Sequence, residues 1–434
     1  MSLPPPADHA VARHGWVQAV STVLAALLAM GVIAALGLWA AGATGLPGDA
    51  FPRVVAATVV TAVGGTIAIS GDAGAIAGTR AGLTAIPLSV TLVGALVVGA
   101  GFLRPLRHRA VAGTAELAGW AGRIAVLWLA AMVGVSLAAR QKFAISLGNG
   151  TLGDIGDVLD TSPTVGFRAA VVESVLFALL WLAGVLVLAL LVSRTAPLPP
   201  RLVRLHASVR PAAHAVLVLL LLYVVLGLVT ALVVAATRGH ATQTFALILL
   251  GLPNLVWLTL TIGLGATWHG RVVGPFGLPV PHLLDQVLRT PDFSTLNLRT
   301  LAHYDGRVWW LLVIDAVLLW AAAFVMAARS PARTRVWQHA VHLAVALALA
   351  VLMICLTCRL SAHYGLSLLG IGDAGGGLSG RLSLRPELWT AVGLGALWGL
   401  VAGFLGALLA KPVRRRGEVE KNGNGPAARA NRAA

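Results

Sequence analysis

Eight stretches of about twenty residues are nearly free of charge: 17–43, 83–103, 121–139, 169–193, 212–236, 309–328, 337–358 and 388–410. An apolar run of about 20 residues is long enough to cross the hydrocarbon core of a bilayer as a helix, which satisfies its own backbone hydrogen bonds there. The sequence therefore predicts an all-α polytopic membrane helix bundle. Composition agrees: only 11% of the 434 residues are charged and 58% are hydrophobic, whereas soluble domains carry about 25% charged residues.

Two further runs are ambiguous. Residues 54–70 are rich in Ala, Val and Gly, and 243–268 contains Gly251-Leu252-Pro253-Asn254, where proline would kink or break a helix. Charge arbitrates. Arg104 to Arg109, Arg194 to Arg210, Arg329 to Arg335 and Arg414 to Arg416 are the strongest basic clusters, and cytoplasmic loops should hold them. With eight spans, all four clusters and the N-terminus share one side. With ten, the N-terminus and the tail move to the opposite side. We adopt eight spans, with 54–80 and 243–270 as re-entrant or interfacial segments; ten spans is the alternative. This puts both termini in the cytoplasm and the protein in the plasma membrane. The first apolar run is too long for a signal-peptide core of roughly 7–15 residues and reads as a retained helix.

The net charge of +16 resides mainly in arginines that flank apolar runs. It implies contact with the bilayer's anionic headgroups at the basic cytoplasmic loops, and no nucleic acid. The two cysteines cannot build a disulfide framework.

A polar, glycine-rich element occurs twice, as ISGDAGAIAGTR (Ile69 to Arg80) and GIGDAGGGLSGR (Gly370 to Arg381). A wider repeat accompanies it. At a shift of 217 positions Leu152 matches Leu369, Arg168 matches Arg385 and Trp181 matches Trp398. The chain divides into a disordered tail (1–15), a first membrane half (16–205), a second (206–417) and a disordered basic tail (418–434). Four spans per half make the expected repeat parallel. Trp181 and Trp398, in mid-span, are expected at the seam between halves, while tryptophans such as Trp16 and Trp389 near span ends suit an interfacial belt.

The Arg13-His14-Gly15-Trp16 opening, the outward Ser70-Gly71-Asp72-Ala73-Gly74 and the span pattern resemble the streptophobe family, over nearly the whole chain to about residue 417. These are very hydrophobic multi-span proteins without an established activity. The resemblance implies a polytopic plasma-membrane protein and no catalytic residue, cofactor or substrate.

Gly370-Ile371-Gly372-Asp373-Ala374-Gly375 fits G-x-G-x-x-G formally but lacks the βαβ setting of a dinucleotide site. Asp72 and Asp373 are read as parts of flexible outer loops, or alternatively of a solute vestibule. Asp315 stands inside the run VWWLLVIDAVLLW. A carboxylate there needs a partner or a proton; the preferred partner is an arginine or a backbone group, and a proton or cation relay is the alternative. Glu173, in the first turn of the fourth span, and Asn254, in the interrupted segment, complete the candidate pathway residues. His339 and His342 share a helix face but have no third ligand at metal spacing, so no metal is expected. Cys355 and Cys358 lie at a helix C-terminus, which disfavours thiolate, and read as small buried hydrophobes. With no nucleophile–base pair and no Walker motif, neither an enzyme nor a cofactor is expected. The leading function is a small-solute transporter or permease; the alternative is a non-catalytic scaffold or accessory protein of a cell-envelope complex, with membrane-protein partners.

Overall fold

The computed structural model describes residues 8–46, 50–72, 77–108, 114–144, 164–193, 200–239, 241–273, 294–330, 334–368 and 380–411. A first set of elements comprises helices α1 (Asp8–Ala40) and α2 (Ala50–Ala62), strands β1 (Ile67–Asp72) and β2 (Ala77–Thr84), α3 (Leu88–Leu103), α4 (Thr114–Ala138), β3 (Arg140–Ala144), β4 (Thr164–Ala169) and α5 (Val171–Val192). A second set comprises α6 (Pro200–Arg238), α7 (Ala241–Gly263), β5 (Trp268–Val273), β6 (Ser294–Leu296), the short α8 (Leu298–Tyr304), α9 (Trp309–Arg329), α10 (Val336–Thr357), β7 (Leu360–Leu368), β8 (Gly380–Pro386) and α11 (Leu388–Leu409). The helix α1 begins at Asp8, inside the stretch whose composition reads as disordered. The tail beyond Lys411 lies outside the described residues.

The helices form the expected membrane bundle. By length and apolar composition eight among the described residues can cross a bilayer: α1, α4, α5, α6, α7, α9, α10 and α11. Each set has its own core, one around Ile124, Trp128 and Met132, the other around Leu319, Leu343 and Ile354.

The sheet is not foreseen by the sequence reading. Eight antiparallel strands run in the order β3-β4-β1-β2-β7-β8-β5-β6. Instead of a loose outer loop, Ile69 to Arg80 contributes to two paired strands, with Asp72 opposite Gly78 on one side and Thr164 on the other. Asp373 lies outside the described residues.

Contacts fix the depth of the two ambiguous segments. The start of α2 is level with the sheet, because Arg53 Nη1 donates to the carbonyl of Arg140, the first residue of β3 (3.3 Å). Its other end points into the bundle. Thr91 Oγ1 donates to Ala62 O (2.6 Å), and a Cβ on Gly64 would sit 3.5 Å from Phe177 Cβ. Gly64 then turns the chain with φ 90°, and β1 returns to the sheet. The helix α7 behaves likewise. Ser89, near the start of α3, donates to Ile248 O (2.8 Å), but the other end of α7 stops against Asp315 and Trp398. Those residues lie six and ten positions past the starts of α9 and α11, about 9–15 Å deep at 1.5 Å rise per residue. Gly265, φ 96°, makes the turn and β5 climbs back. Both segments thus enter and leave by the sheet face, as the eight-span arrangement requires. The spans are then α1, α3, α4, α5, α6, α9, α10 and α11.

One expectation needs correcting. The helix α7 is continuous through Pro253 and is broken at Gly265, not at Gly251 to Asn254. Pro253 occupies the place that Pro52 holds in the first turn of α2, where a missing N–H costs nothing; in α7 two to three additional turns precede it.

Strand registers and turn bonds recur between the two sets. Ile67↔Ala169 and Ala68↔Arg168 on β1·β4 recur as Trp268↔Pro386 and His269↔Arg385 on β5·β8. Gln141↔Phe167 recurs as Leu360↔Leu384. The turn bonds Gly65 N→Val60 O and Ala266 N→Thr261 O are both 2.9 Å. Buried Ala19, Val23, Ala26 and Met30 of α1 correspond to Ala212, Val216, Leu219 and Tyr223 of α6.

Candidate functional site: a buried aspartate at the tip of a re-entrant helix

Helix packing places Asp315 before any chemistry does. The apolar stripe of α9 that faces the core runs Asp315, Leu319, Ala323, Met326, each 0–2% exposed, the three-to-four spacing of one helix face. The facing stripe of α6 runs Ala212, Val216, Leu219, Tyr223. Asp315 and Tyr223 occupy core positions on two stripes that meet, and the Tyr223 hydroxyl donates a hydrogen bond to Asp315 Oδ1. The partner is thus a phenol, not the arginine or backbone group expected from sequence.

The third component is Gly263, the last residue of α7. A Cβ there would fall 2.0 Å from Asp315 Oδ2 and 2.7 Å from its Cγ, so only glycine admits the carboxyl. Three indoles pin this helix tip. Trp398 Nε1 donates to Leu264 O (3.0 Å), Trp257 Nε1 to Leu220 O (3.1 Å), and Trp268 Nε1 to Thr261 Oγ1 (3.0 Å). Asp315 Oδ2 has no hydrogen-bond partner among the described residues.

The electrostatic consequence is definite. The C-terminal end of a helix carries the negative end of its macrodipole, and here it abuts a carboxyl group. An anion is disfavoured there by the dipole and by desolvation, and a proton on Oδ2 relieves both; the carbonyls of Leu260, Thr261 and Ile262 already accept from the N–H groups of Leu264, Ala266 and Gly265. Half-helix ends of this kind recur as cation and proton sites in transporters.

The other sequence candidates are elsewhere. Glu173 is exposed and accepts from Thr66 Oγ1 (2.7 Å) in the first set. Asn254 is a clip between the sets: its Oδ1 accepts from Leu88 N (3.1 Å) and its Nδ2 donates to Ile86 O (2.9 Å). Asp72 lies on β1. None of these joins Asp315 through a shared hydrogen-bond partner. His339 is buried in the first turn of α10, and no group of three or more His, Cys, Asp or Glu able to hold a metal occurs among the described residues. Cys355 and Cys358 are buried free thiols. Trp181 and Trp398 lie not at the seam but within their own sets, Trp181 stacked on Trp128 at 5.3 Å and Trp398 on the α7 tip. The seam is instead made where α7 meets α1 and α3, as at Gly37 against Leu250, and where β2 pairs with β7.

A scan against family models, a search of curated proteins and a search of solved structures each find no match. What the site can do follows from its own geometry. Tyr223 and Gly263 escape the sequence reading. A signal for Tyr223 exists, since it is one of three tyrosines in the chain and interrupts the run LVLLLLYVVLGL; nothing in the sequence singles out Gly263 among 49 glycines.

Proposed function

We propose that this protein is a small-solute transporter or permease of the plasma membrane, coupled to protons or a small cation at Asp315. The observation that carries this reading is a carboxyl only 1% exposed, bonded through one oxygen to Tyr223 and facing the C-terminal end of a re-entrant helix through the other. A purely structural aspartate would gain nothing from that helix end. In this reading the chain is a parallel internal repeat, resembling the streptophobe family, with both termini and the basic clusters cytoplasmic and the sheet outside. The register matches between the sets support the repeat, and the positive-inside bias supports the orientation.

The test uses purified protein in proteoliposomes containing a pH-sensitive dye, under an imposed potassium diffusion potential. Wild type should show proton movement or, with sodium in place of a proton gradient, cation uptake. Asp315→Asn, nearly isosteric, should reduce either by at least about tenfold while the protein remains folded and inserted. Undiminished flux in Asp315→Asn would rule out the coupling role.

A second reading, a scaffold for envelope partners, draws on the sheet, whose order among the described residues puts β3 and β6 at its edges. Unpaired edges are templates for an added strand.

A further inference from the structure

Between α6 and α9, on the side of the bundle away from the sheet, lies a cavity of about 990 Å³. Its composition is divided by depth. Arg210, His214 and Arg329 line the end nearest the basic loops, and Arg329 Nη1 lies 3.3 Å from His214 Nε2. The remainder is apolar, with Val218, Leu222 and Leu318 typical of its wall, and no acidic side chain among the described residues lines it. Its walls open towards the bilayer, since Val218 is 48% and Val325 38% exposed. The deep end reaches Leu222, the neighbour of Tyr223, and Leu318, about one turn from Asp315.

The basic end does not follow from the repeated architecture. Two guanidiniums and an imidazole stand at the mouth of an apolar groove, at positions where the first set has Val17, Ser21 and Pro105. Pro211 follows directly and removes a backbone N–H at the same level, which allows the helix to bend around an occupant.

We infer that this cavity binds one anionic phospholipid, its phosphate between Arg210 and Arg329 and an acyl chain along the apolar wall. Charge complementarity selects the headgroup, because two arginines can each donate to phosphate oxygens through planar, multiply donating guanidiniums. Groove shape and exposure select a tail. Basic pockets between membrane helices at the cytoplasmic face are an established means of holding such headgroups. This inference is independent of the transport reading, although the bound tail would cover the Asp315 pair from the basic side.

The test measures lipid binding to the full chain in uncharged detergent by native mass spectrometry, with thermal unfolding as a second readout. The probes are phosphatidylglycerol, phosphatidylcholine and soluble glycerol phosphate. Phosphatidylglycerol should bind with one-to-one stoichiometry, at least tenfold more tightly than phosphatidylcholine, and raise the melting temperature. With about 1 kcal/mol per arginine near a phosphate, each of Arg210→Gln and Arg329→Gln should weaken it about fivefold, and together about 25-fold. Ala322→Phe, which fills the apolar wall and leaves both arginines in place, should lower phosphatidylglycerol binding as well; it keeps the test decisive should the double arginine variant fail to fold. Equal affinity for the two lipids, or undiminished phosphatidylglycerol binding in either Ala322→Phe or the arginine variants, would overturn the inference. Stabilisation by glycerol phosphate alone to the same extent would also overturn it, in favour of a free-anion site.

Discussion

The two halves, matched strand register for strand register, pack their helices in opposite ways. In the second half α10 and α11 touch backbone to backbone: a Cβ on Gly399 would lie 2.5 Å from Ala344 Cα, and one on Gly403 2.8 Å from Ala340 Cα. In the first half the same helix positions are Leu182 and Leu186, both buried, and the space between α4 and α5 is filled by the stacked Trp128 and Trp181. Small residues allow close helix approach in membranes, where dispersion and not hydrophobicity drives association. The halves also differ at the re-entrant tip. Ala62 and Thr91 in the first half stand where Gly263 and Asp315 stand in the second, and Met30 where Tyr223 stands. A neutral hydroxyl bonded to a helix-end carbonyl has been exchanged for a carboxyl facing a helix end. At matching register positions, depth and placement are alike in the two halves, whereas, among the described residues, the buried carboxyl occurs in the second alone.

The comparison breaks most visibly if residues are exchanged across it. Gly399→Leu, which installs the residue of the first half, should force α10 and α11 apart and cost at least about 3 kcal/mol. Thermal unfolding in detergent reads this directly, and a wild-type melting temperature would mean the close approach is not needed.

A smaller effect is expected at the tip. Gly263→Ala collides with Asp315 and should cost about 2 kcal/mol. Combining it with Asp315→Thr recreates the pair of the first half and should recover most of the loss. Failure of the double variant to recover would show that the tips are not equivalent. Coupled behaviour of this kind is what a double-mutant cycle measures.

How much of this was legible in the sequence depended on whether a residue's role came from its own chemistry or from its neighbours. Apolar runs and flanking arginines report membrane crossing locally, so the bundle and the eight spans were readable. The depth of α2 and α7 was readable in outline, because basic loops constrain topology from a distance. The sheet was not. Its strands, such as AGTRAGLT and GRLSLRP, are rich in Gly, Ala, Ser and Arg and poor in the β-branched residues that mark a pleated surface; pairing partners supply their order. Pro253 misled because proline within an apolar run signals interruption, whereas here the helix runs on through it, at the register position that Pro52 holds in the first turn of α2. Asp315 was visible as an anomaly, but its partner arrives from α6, 92 positions away, and no local pattern announces that.

The smallest effect is expected at the surface ends of the re-entrant strands. In the second half His269 Nε2 donates to Glu387 Oε1 (2.8 Å), directly before α11, where the matching positions of the first half are Ala68 and Ala170. The bond from His269, with a second from Thr390, holds the Glu387 carboxyl below the usual carboxylate range. A depressed carboxyl contributes stability that is present above its ordinary pKa and is lost as pH falls through the lowered value. Because both side chains are about 40% exposed, Glu387→Gln should cost no more than about 0.5 kcal/mol at neutral pH. The variant should lose the acid-dependent part of this contribution, seen as a smaller drop in melting temperature between pH 6 and pH 3.

The most direct measurement concerns the helix that length and composition mark as a span but contacts mark as re-entrant. In a background with Cys355 and Cys358 replaced by alanine, Thr237→Cys and Arg271→Cys flank α7, and Arg107→Cys marks the opposite face. The account predicts that an impermeant maleimide in intact cells labels the first two alike and treats Arg107→Cys oppositely. Labelling of Thr237→Cys and Arg271→Cys from opposite sides of the membrane would contradict it, because α7 would then cross the bilayer and could not bring Gly263 to Asp315 as a re-entrant tip.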